Sequence, residues 1–410
     1  MNGCNMKNND IRGLQINMTQ MLSAISNALD CVEGELIGVS MHHAKRLACL
    51  CAYLGRKLGL NGQELFDLCA CALLHDNALP EYLATEYHTE EKIELGAHCI
   101  SGERNMKHLP VYGDITNVLL YHHENADGSG PFHRKNEEIP LYAKIVHLVD
   151  ILDATFDLKS DKSEFSMIIS FLKEQRGRMF DPVCTDLLLQ TDSLCDLFSG
   201  LYDDKLSVTV AESVPVCIRT LTAKEVKDFS KLFAGIVDYK SAFTARHSQG
   251  VMEKTVKMAD FYQADELERM KLLLSGALHD IGKLIVSNDI LEKPGRLTSE
   301  EFRQIQTHPY ATYEVLSQID GLEEVTCWAS YHHEKLDGSG YPFGLTGESL
   351  DRNARVLACI DIYQAMTEER PYKPGLAHEA AMQELNRLAG LGKLDGAVVQ
   401  DVDYVFGNQR

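Results

Sequence analysis

Tyr331-His332-His333-Glu334-Lys335-Leu336-Asp337-Gly338-Ser339-Gly340-Tyr341-Pro342 is the stretch whose reading decides the fold. Two adjacent imidazoles run into a glycine-rich turn, and a purely structural loop seldom needs both metal-ligand chemistry and close backbone approach. Upstream stand His247, the segment Leu278-His279-Asp280-Ile281-Gly282-Lys283 and His308; downstream stands Asp361. These residues read as one site.

The chain states the same series twice. His43, His75-Asp76, His98, His122-His123 and Asp150 answer His247, His279-Asp280, His308, His332-His333 and Asp361. The first three partners lie 204 residues apart, the next three 210 and the last 211. Offsets that change only in steps mark a duplication whose insertions fall in connections. A single histidine on a helix is usually a packed or surface residue, but seven ligand-type residues in the same order in two halves point to metal. Imidazole with carboxylate suits divalent transition ions, and an Asp next to a His can bridge two ions while the His caps one.

Composition narrows the partners. At 410 residues, with 45% hydrophobic and 24% charged, the chain suits two or three soluble globular domains rather than disorder. A formal charge of -20 argues against a broad nucleic-acid or anionic-membrane surface, although a small anion can bind where metals and a few Lys or Arg make the field positive. No apolar run of about 18 residues and no signal-peptide core occurs, so the expected location is cytoplasmic, with no membrane partner. Twelve cysteines without a Cys-x-x-Cys pair read as free thiols, Cys49/Cys51 and Cys69/Cys71 lying on different helix faces as small buried apolar residues.

The hydrophobic pattern is helical almost throughout. Leu47, Leu50, Leu54 and Leu58 follow His43 at helical spacing, Val251, Met258 and Tyr262 follow His247, and Val226, Phe229, Leu232, Phe233, Ile236 and Val237 mark a helix leading into the second unit. Leu206–Val210 and Val214–Ile218, β-branched around Pro215, suggest a short extended connector. Both units end alike, at Phe180-Asp181-Pro182-Val183 and Leu394-Asp395-Gly396-Ala397-Val398, which favours two helical domains over one large core. Acidic pairs such as Glu300-Glu301 and Glu368-Glu369 read as solvated helix faces or starts, and His42 falls outside the site because His43 alone keeps the repeat spacing.

His279-Asp280-Ile281-Gly282-Lys283 with His332-His333-Glu334-x-x-Asp337-Gly338-x-Gly340-Tyr341-Pro342 resembles the HD-GYP family, a branch of the HD superfamily of metal-dependent phosphohydrolases, over about residues 224–405. The resemblance implies an all-α fold of two tandem HD-type helical bundles: 1–200 a degenerate HD-GYP-like domain, 201–223 a connector and 224–410 the catalytic domain. It implies metal ligation by His247, His279, Asp280, His308, His332, His333 and Asp361, with Asp280 bridging, and phosphate contacts from Lys283, Arg370 and Lys373. Iron or manganese is the implied metal. Phe243 stands where three-metal members have Glu, so two ions are expected, and Gln364 stands where the family usually has a second Asp, which Asp153 keeps in the first half.

The function so implied is cleavage of a cyclic dinucleotide by attack of a hydroxide held between two ions, with cyclic di-GMP going to linear pGpG and on to GMP, and a mixed cyclic GMP-AMP dinucleotide next in line. Asp280 and Lys283 are the catalytic pair. Tyr341 either packs beside a base or ribose or seals the turn. In the first half, His43, His75, Asp76, His98, His122, His123 and Asp150 form a second metal site, but Leu79 replaces Lys283 and the turn lacks its tyrosine; Lys159 and Lys162 fall where Arg370 and Lys373 do. This half is expected to bind metal, to catalyse poorly and to pack on the other. A homodimer is open, as are two other readings: a phosphohydrolase of another nucleotide or phosphate monoester, and a non-catalytic cyclic dinucleotide receptor.

Overall fold

A computed structural model describes residues 13–81, 95–158, 164–190, 194–240, 246–293, 295–369 and 374–407. Arg370, Lys373, Phe243, Lys159 and Lys162 lie outside these residues. The first half runs β1 (Leu14–Asn17), α1 (Met18–Ile37), α2 (His43–Lys57), α3 (Gly62–Leu73), α4 (Leu95–Met106), α5 (Leu141–Thr155), α6 (Phe165–Gln175), α7 (Pro182–Leu189), α8 (Leu194–Ser199) and α9 (Asp203–Ser213). The second half opens the same way, with β2 (Ile218–Leu221) and α10 (Ala223–Tyr239). It continues through α11 (His247–Phe261), α12 (Glu266–Leu278), α13 (Asn288–Leu291), α14 (Ser299–Ile305), α15 (His308–Leu316), α16 (Glu323–Ser330), α17 (Arg352–Thr367), α18 (His378–Gly390) and α19 (Gly396–Gly407). The fold is all-α, two HD-type bundles in tandem, with one two-stranded sheet among the described residues.

Local chemistry sets the helix starts. Asn61 with Glu64 and Thr222 with Glu225 form reciprocal caps on α3 and α10, and Asp351 accepts from the Ala354 N–H on α17. Each cap pairs amide hydrogens that a helix cannot satisfy by itself. The stripe foreseen on α10 is buried in full, and Leu47, Leu50 and Leu54 of α2 face the core. The connector differs from expectation. Leu206–Val210 belongs to helix α9, whose first turn carries Asp203 and Asp204 and whose Leu206 is buried while Val208 is exposed. An amphipathic start of this kind outweighs a local run of β-branched residues.

Extended backbone appears just beyond, where β2 pairs antiparallel with β1, Leu14 opposite Leu221 and Asn17 opposite Ile218. The Met18 N–H donates to the Cys217 carbonyl at 2.8 Å, and the Thr19 hydroxyl donates to the Pro215 carbonyl at 2.7 Å. This pairing delivers α1 onto the second half. There Gln20 and Asp320 exchange two hydrogen bonds of 2.9 Å, and Glu35 takes the Lys240 ammonium at 2.8 Å and the Asn288 N–H at 2.9 Å.

The core follows the same route. One apolar cluster unites Leu22, Ile25 and Leu29 of α1 and Leu50 and Leu68 of the first bundle with Phe229, Phe233, Leu274, Ile281 and Leu316 of the second. A second cluster, around Val251, Trp328, Leu357, Ile360 and Phe406, lies within the C-terminal half. The bundles are distinct in element order, but their cores are not separate, because α1 packs on α2 and α3 of the first and on the Ile281–Ile285 turn and α15 of the second. Among the described residues no helix is long and apolar enough to cross a membrane.

Phe233→Ala is therefore expected to cost about 3–5 kcal/mol, the range for truncating a fully buried aromatic. Chemical denaturation followed by circular dichroism checks this, and the shared core predicts one transition; two separate transitions would contradict it.

Candidate active site

Each candidate ligand except Asp361, which is buried within a helix, sits where a helix starts or stops. His247 is the first residue of α11, His279 closes α12 with Asp280 after it, His308 opens α15, His332 and His333 follow α16, and Asp361 lies within α17. Three imidazoles are fixed in one way. The Nδ1–H of His279 donates to the Gly276 carbonyl at 2.9 Å, that of His308 to Ile305 at 2.7 Å and that of His332 to Ala329 at 2.6 Å. A carbonyl only accepts, so the neutral ring carries its proton on Nδ1 and leaves the Nε2 lone pair facing the other ligands.

All seven residues come together. Asp280 presents Oδ2 at 3.3 Å from His279 Nε2, and Oδ1 at 3.2 Å from His308 Nε2 and 3.8 Å from His332 Nε2. Asp361 places Oδ1 at 3.0 Å from His247 Nε2 and 3.8 Å from His279 Nε2, with Oδ2 at 3.9 Å from His333 Nδ1. The donors divide into His247, His279 and Asp361 on one side of Asp280 and His308, His332 and His333 on the other. Donor atoms of His247, His279 and Asp280 lie within 4.8 Å of one another, as do those of the three remaining histidines. His279 Nε2 and Asp280 Oδ1 are buried with no hydrogen-bond partner among the described residues. Leaving such groups unmet costs about 1–3 kcal/mol each, and nitrogen and carboxylate donors arranged this way fit divalent transition ions.

Electrostatics favours the ligand forms of Asp280, Asp361, His332 and His333 and opposes that of His247. Burial would raise both carboxylates, but His279 and Lys283 hold Asp280, and His247 and His333 hold Asp361, well below the usual carboxylate range. Burial brings His333 down to about 3 and holds His332 well below its ordinary value, so both are neutral at pH 7. His247 is the exception: burial opposes its charge, but Asp361 and Glu368 outweigh this and lift it to about 9.

Lys283 sits on the 3-10 turn Ile281–Ile285, its Nζ 2.5 Å from Asp280 Oδ2 and its side chain 20% exposed, so it stands at the mouth of the site. Gly282 permits this turn, since a Cβ there would lie 2.0 Å from the His308 carbonyl oxygen. The glycine-rich loop is strapped down by buried Glu334, which accepts N–H groups of Phe343, Gly344 and Leu345 at 2.7, 3.2 and 2.9 Å. Gly340 passes so close that a Cβ would be 2.4 Å from the Glu334 Cα. Tyr341 is thereby held with its ring 4.9 Å from that of His333.

One expectation is corrected. Glu368 is not on a solvated face: its side chain is 7% exposed and lies 3.3 Å from His247 Nδ1. In the first half Asp153 takes His43 Nδ1 at 2.6 Å and Arg46 at 2.7 Å. The second half has Gly250 and Gln364 at those positions. Gln364 occupies space that a Cβ on Gly250 would enter at 2.2 Å and turns toward Lys254, so Glu368 reaches in with the carboxylate instead. The paired exchange at matching offsets was the available signal. By contrast Glu301 does cap a helix start with Thr298, and His42 pairs with Asn27 at 3.1 Å, away from the site.

The seven residues of the first half converge as well. His43 Nε2 lies 3.2 Å from Asp150 Oδ1, while His98 and His122 Nε2 lie 3.3 and 3.4 Å from Asp76 Oδ1. His75 Nε2 lies 3.6 Å from Asp76 Oδ2, and His123 Nδ1 3.8 Å from Asp150 Oδ2. Leu79 is buried in place of the lysine. Sequence reasoning did not single out Glu33 and Cys99, which also reach this cluster. Cys49, Cys51, Cys69 and Cys71 are buried and free, as expected.

The profile of the HD domain family matches residues 36–183 and 231–398. A Vibrio cholerae serotype O1 protein named 3'3'-cGAMP-specific phosphodiesterase 1 is 29% identical over 97% of this chain and 93% of its own length. The phosphodiesterase 3 of the same name and organism is 33% identical over 64% of this chain and 56% of its own. The cyclic di-GMP phosphodiesterase response regulator RpfG of Xanthomonas campestris is 26% identical over 65% of this chain and 69% of its own. A crystal structure described as a cyclic GMP-AMP specific phosphodiesterase of V. cholerae, V-cGAP3, superposes with a TM-score of 0.65 over 97% of this chain and 99% of that one, at 22% identity, so the fold is shared across both halves.

Metal uptake is expected to depend on pH through His247. Its metal-free form is charged up to about 9, whereas a ligand must be neutral, so uptake displaces a proton and affinity rises with pH until that value is passed. Titration of metal-free protein with Mn(II) at pH 7 and 8 should show about a tenfold gain per proton released; an unchanged affinity would contradict the assignment.

Proposed function

Since the chain belongs to the HD domain family, in its HD-GYP branch, we propose that it hydrolyses a cyclic dinucleotide, with two divalent ions, iron or manganese, held by His247, His279, Asp280, His308, His332, His333 and Asp361. The observation that carries this reading is the Asp280 carboxylate, whose two oxygens face two separate sets of donors. A carboxylate shared in that way is what a pair of ions needs to stand close together. When bound, such ions lower the pKa of water from about 15.7 toward 7 and draw charge from a phosphoryl oxygen.

The protein's own groups do the rest. Asp280, held ionised, keeps the two donor sets in register. Lys283, at the mouth beside it, offsets charge that grows on the phosphoryl oxygens as the ester bond breaks. Burial, then Asp361 and Asp280, raise the Tyr341 hydroxyl, so it stays neutral, and its ring beside His333 offers a face for a nucleobase or ribose. Arg370 and Lys373 remain proposed phosphate contacts on the strength of the family resemblance.

Cyclic di-GMP and the mixed cyclic GMP-AMP dinucleotide share the phosphodiester ring and one guanosine. A specific observation supports the mixed substrate as a second reading beside cyclic di-GMP: the relative that aligns with both halves end to end carries that specificity in its name.

Protein purified without oxygen and reconstituted with Fe(II) or Mn(II) should convert at least one of the two dinucleotides to a linear product seen by chromatography. His279→Ala with Asp280→Ala should fall to background. Lys283→Ala, with metal content unchanged, should lose about 10²–10³-fold in kcat/KM, the scale of one preorganised charge partner. Parental rates in the double variant would refute the assigned centre.

A further inference from the structure

We propose that the first half holds a divalent-metal centre of its own, in which Glu33 and Cys99 join the repeated ligands, and that this centre is structural, fixing α1 against the catalytic half. Glu33 projects from α1 and is 2% exposed, and its Oε2 has no hydrogen-bond partner among the described residues. Its carboxylate, His43 and His75 offer ligand atoms within 4.8 Å of one another, and His75 Nε2 is likewise without a hydrogen-bond partner. The Nδ1–H of His75 donates to the Ala72 carbonyl at 3.0 Å, which turns Nε2 inward. Glu33, Asp76 and Asp150 bring three buried carboxyl groups into this enclosed space, and a cation is the partner that lets such groups serve as ligands away from water.

The other end of the cluster is different in kind from its counterpart. Cys99, 1% exposed, offers its sulfur within 4.8 Å of ligand atoms of His98, His122 and His123. The residue at the same place in the catalytic half is Pro309. A thiolate among imidazoles favours softer ions such as Zn(II), Fe(II) or Co(II). With Leu79 where Lys283 would be, the centre has a full ligand set but an apolar side chain in place of the lysine beside Asp280.

Its structural use follows from α1. Glu33 and Glu35 are two residues apart, which puts them on different faces of the helix. One faces the metal cluster. The other grips Lys240 at 2.8 Å and the Asn288 N–H at 2.9 Å, just past the turn that carries Lys283, and α1 packs on that turn. An ion that fixes Glu33 thus fixes the helix that braces the catalytic turn.

The test uses the full chain and cobalt, and its readouts are ion content and amide exchange, so it stands or falls independently of any substrate. The His279→Ala, Asp280→Ala variant, shown folded by circular dichroism, should still retain Co(II) with a thiolate-to-cobalt charge-transfer band, and Cys99→Ser should abolish that band. If the double variant does not fold, the parent and His75→Ala, Asp76→Ala serve instead, the latter losing cobalt and the band while keeping the ions of the catalytic half. Glu33→Gln should weaken retention at the first centre by about tenfold or more and speed amide hydrogen exchange over residues 281–288. No cobalt outside the catalytic centre, a band that survives Cys99→Ser, or unchanged exchange in Glu33→Gln would each overturn the proposal.

Discussion

The site depends on one repeated hydrogen bond, from the Nδ1–H of a buried histidine to the backbone carbonyl three residues before it. His279, His308 and His332 make it in the second half, and His75 and His122 make it in the first. An imidazole has two nitrogens and a side chain free to swing; this bond settles both, choosing the tautomer and the direction of the lone pair. Because four of these five carbonyls belong to the ends of helices, the ligands they hold can be no less ordered than the bundle. Packing among helices far from the metal is converted in this way into the position of donor atoms.

Duplication supplied two copies of that device, and the copies have diverged in what surrounds it. The catalytic half has Lys283, and its strapped loop carries Tyr341, whereas Glu124 straps the matching loop of the first half, which has no tyrosine. It also exchanged the Arg46–Asp153 pair for Gly250 and Gln364, passing the support of its first histidine to Glu368. The first half has the same ligands, Leu79 in place of the lysine, and Glu33 and Cys99 beside them. The halves are coupled physically, since β1 pairs with β2 and α1 completes a core that both share.

Much of this could be read from the residues in order. The seven ligands of each half, the helix of Val226 to Val237 and the close approach of Gly340 all have local signatures: ligand-type residues at repeated offsets, a helical stripe, a glycine where only glycine fits. What escaped reading is non-local. The pairing of Leu14 with Leu221, the insertion of α1 into the other half and the approach of Glu33 to His43 join segments whose own periodicity says nothing about their partners. Glu368 escaped for another reason: an acidic pair at the end of a helix is ordinarily solvated, and only the loss of Asp at position 364 made its carboxylate necessary inside. The helix at Leu206 shows propensity yielding to burial.

The central claim is that Asp280 serves two ions at once. Anomalous X-ray diffraction from crystals of the manganese-loaded protein measures this directly. The account predicts two anomalous peaks in the C-terminal half, one beside His247, His279 and Asp361 and the other beside His308, His332 and His333, with an oxygen of Asp280 bound to each. A single peak, or two peaks that Asp280 does not join, would contradict it.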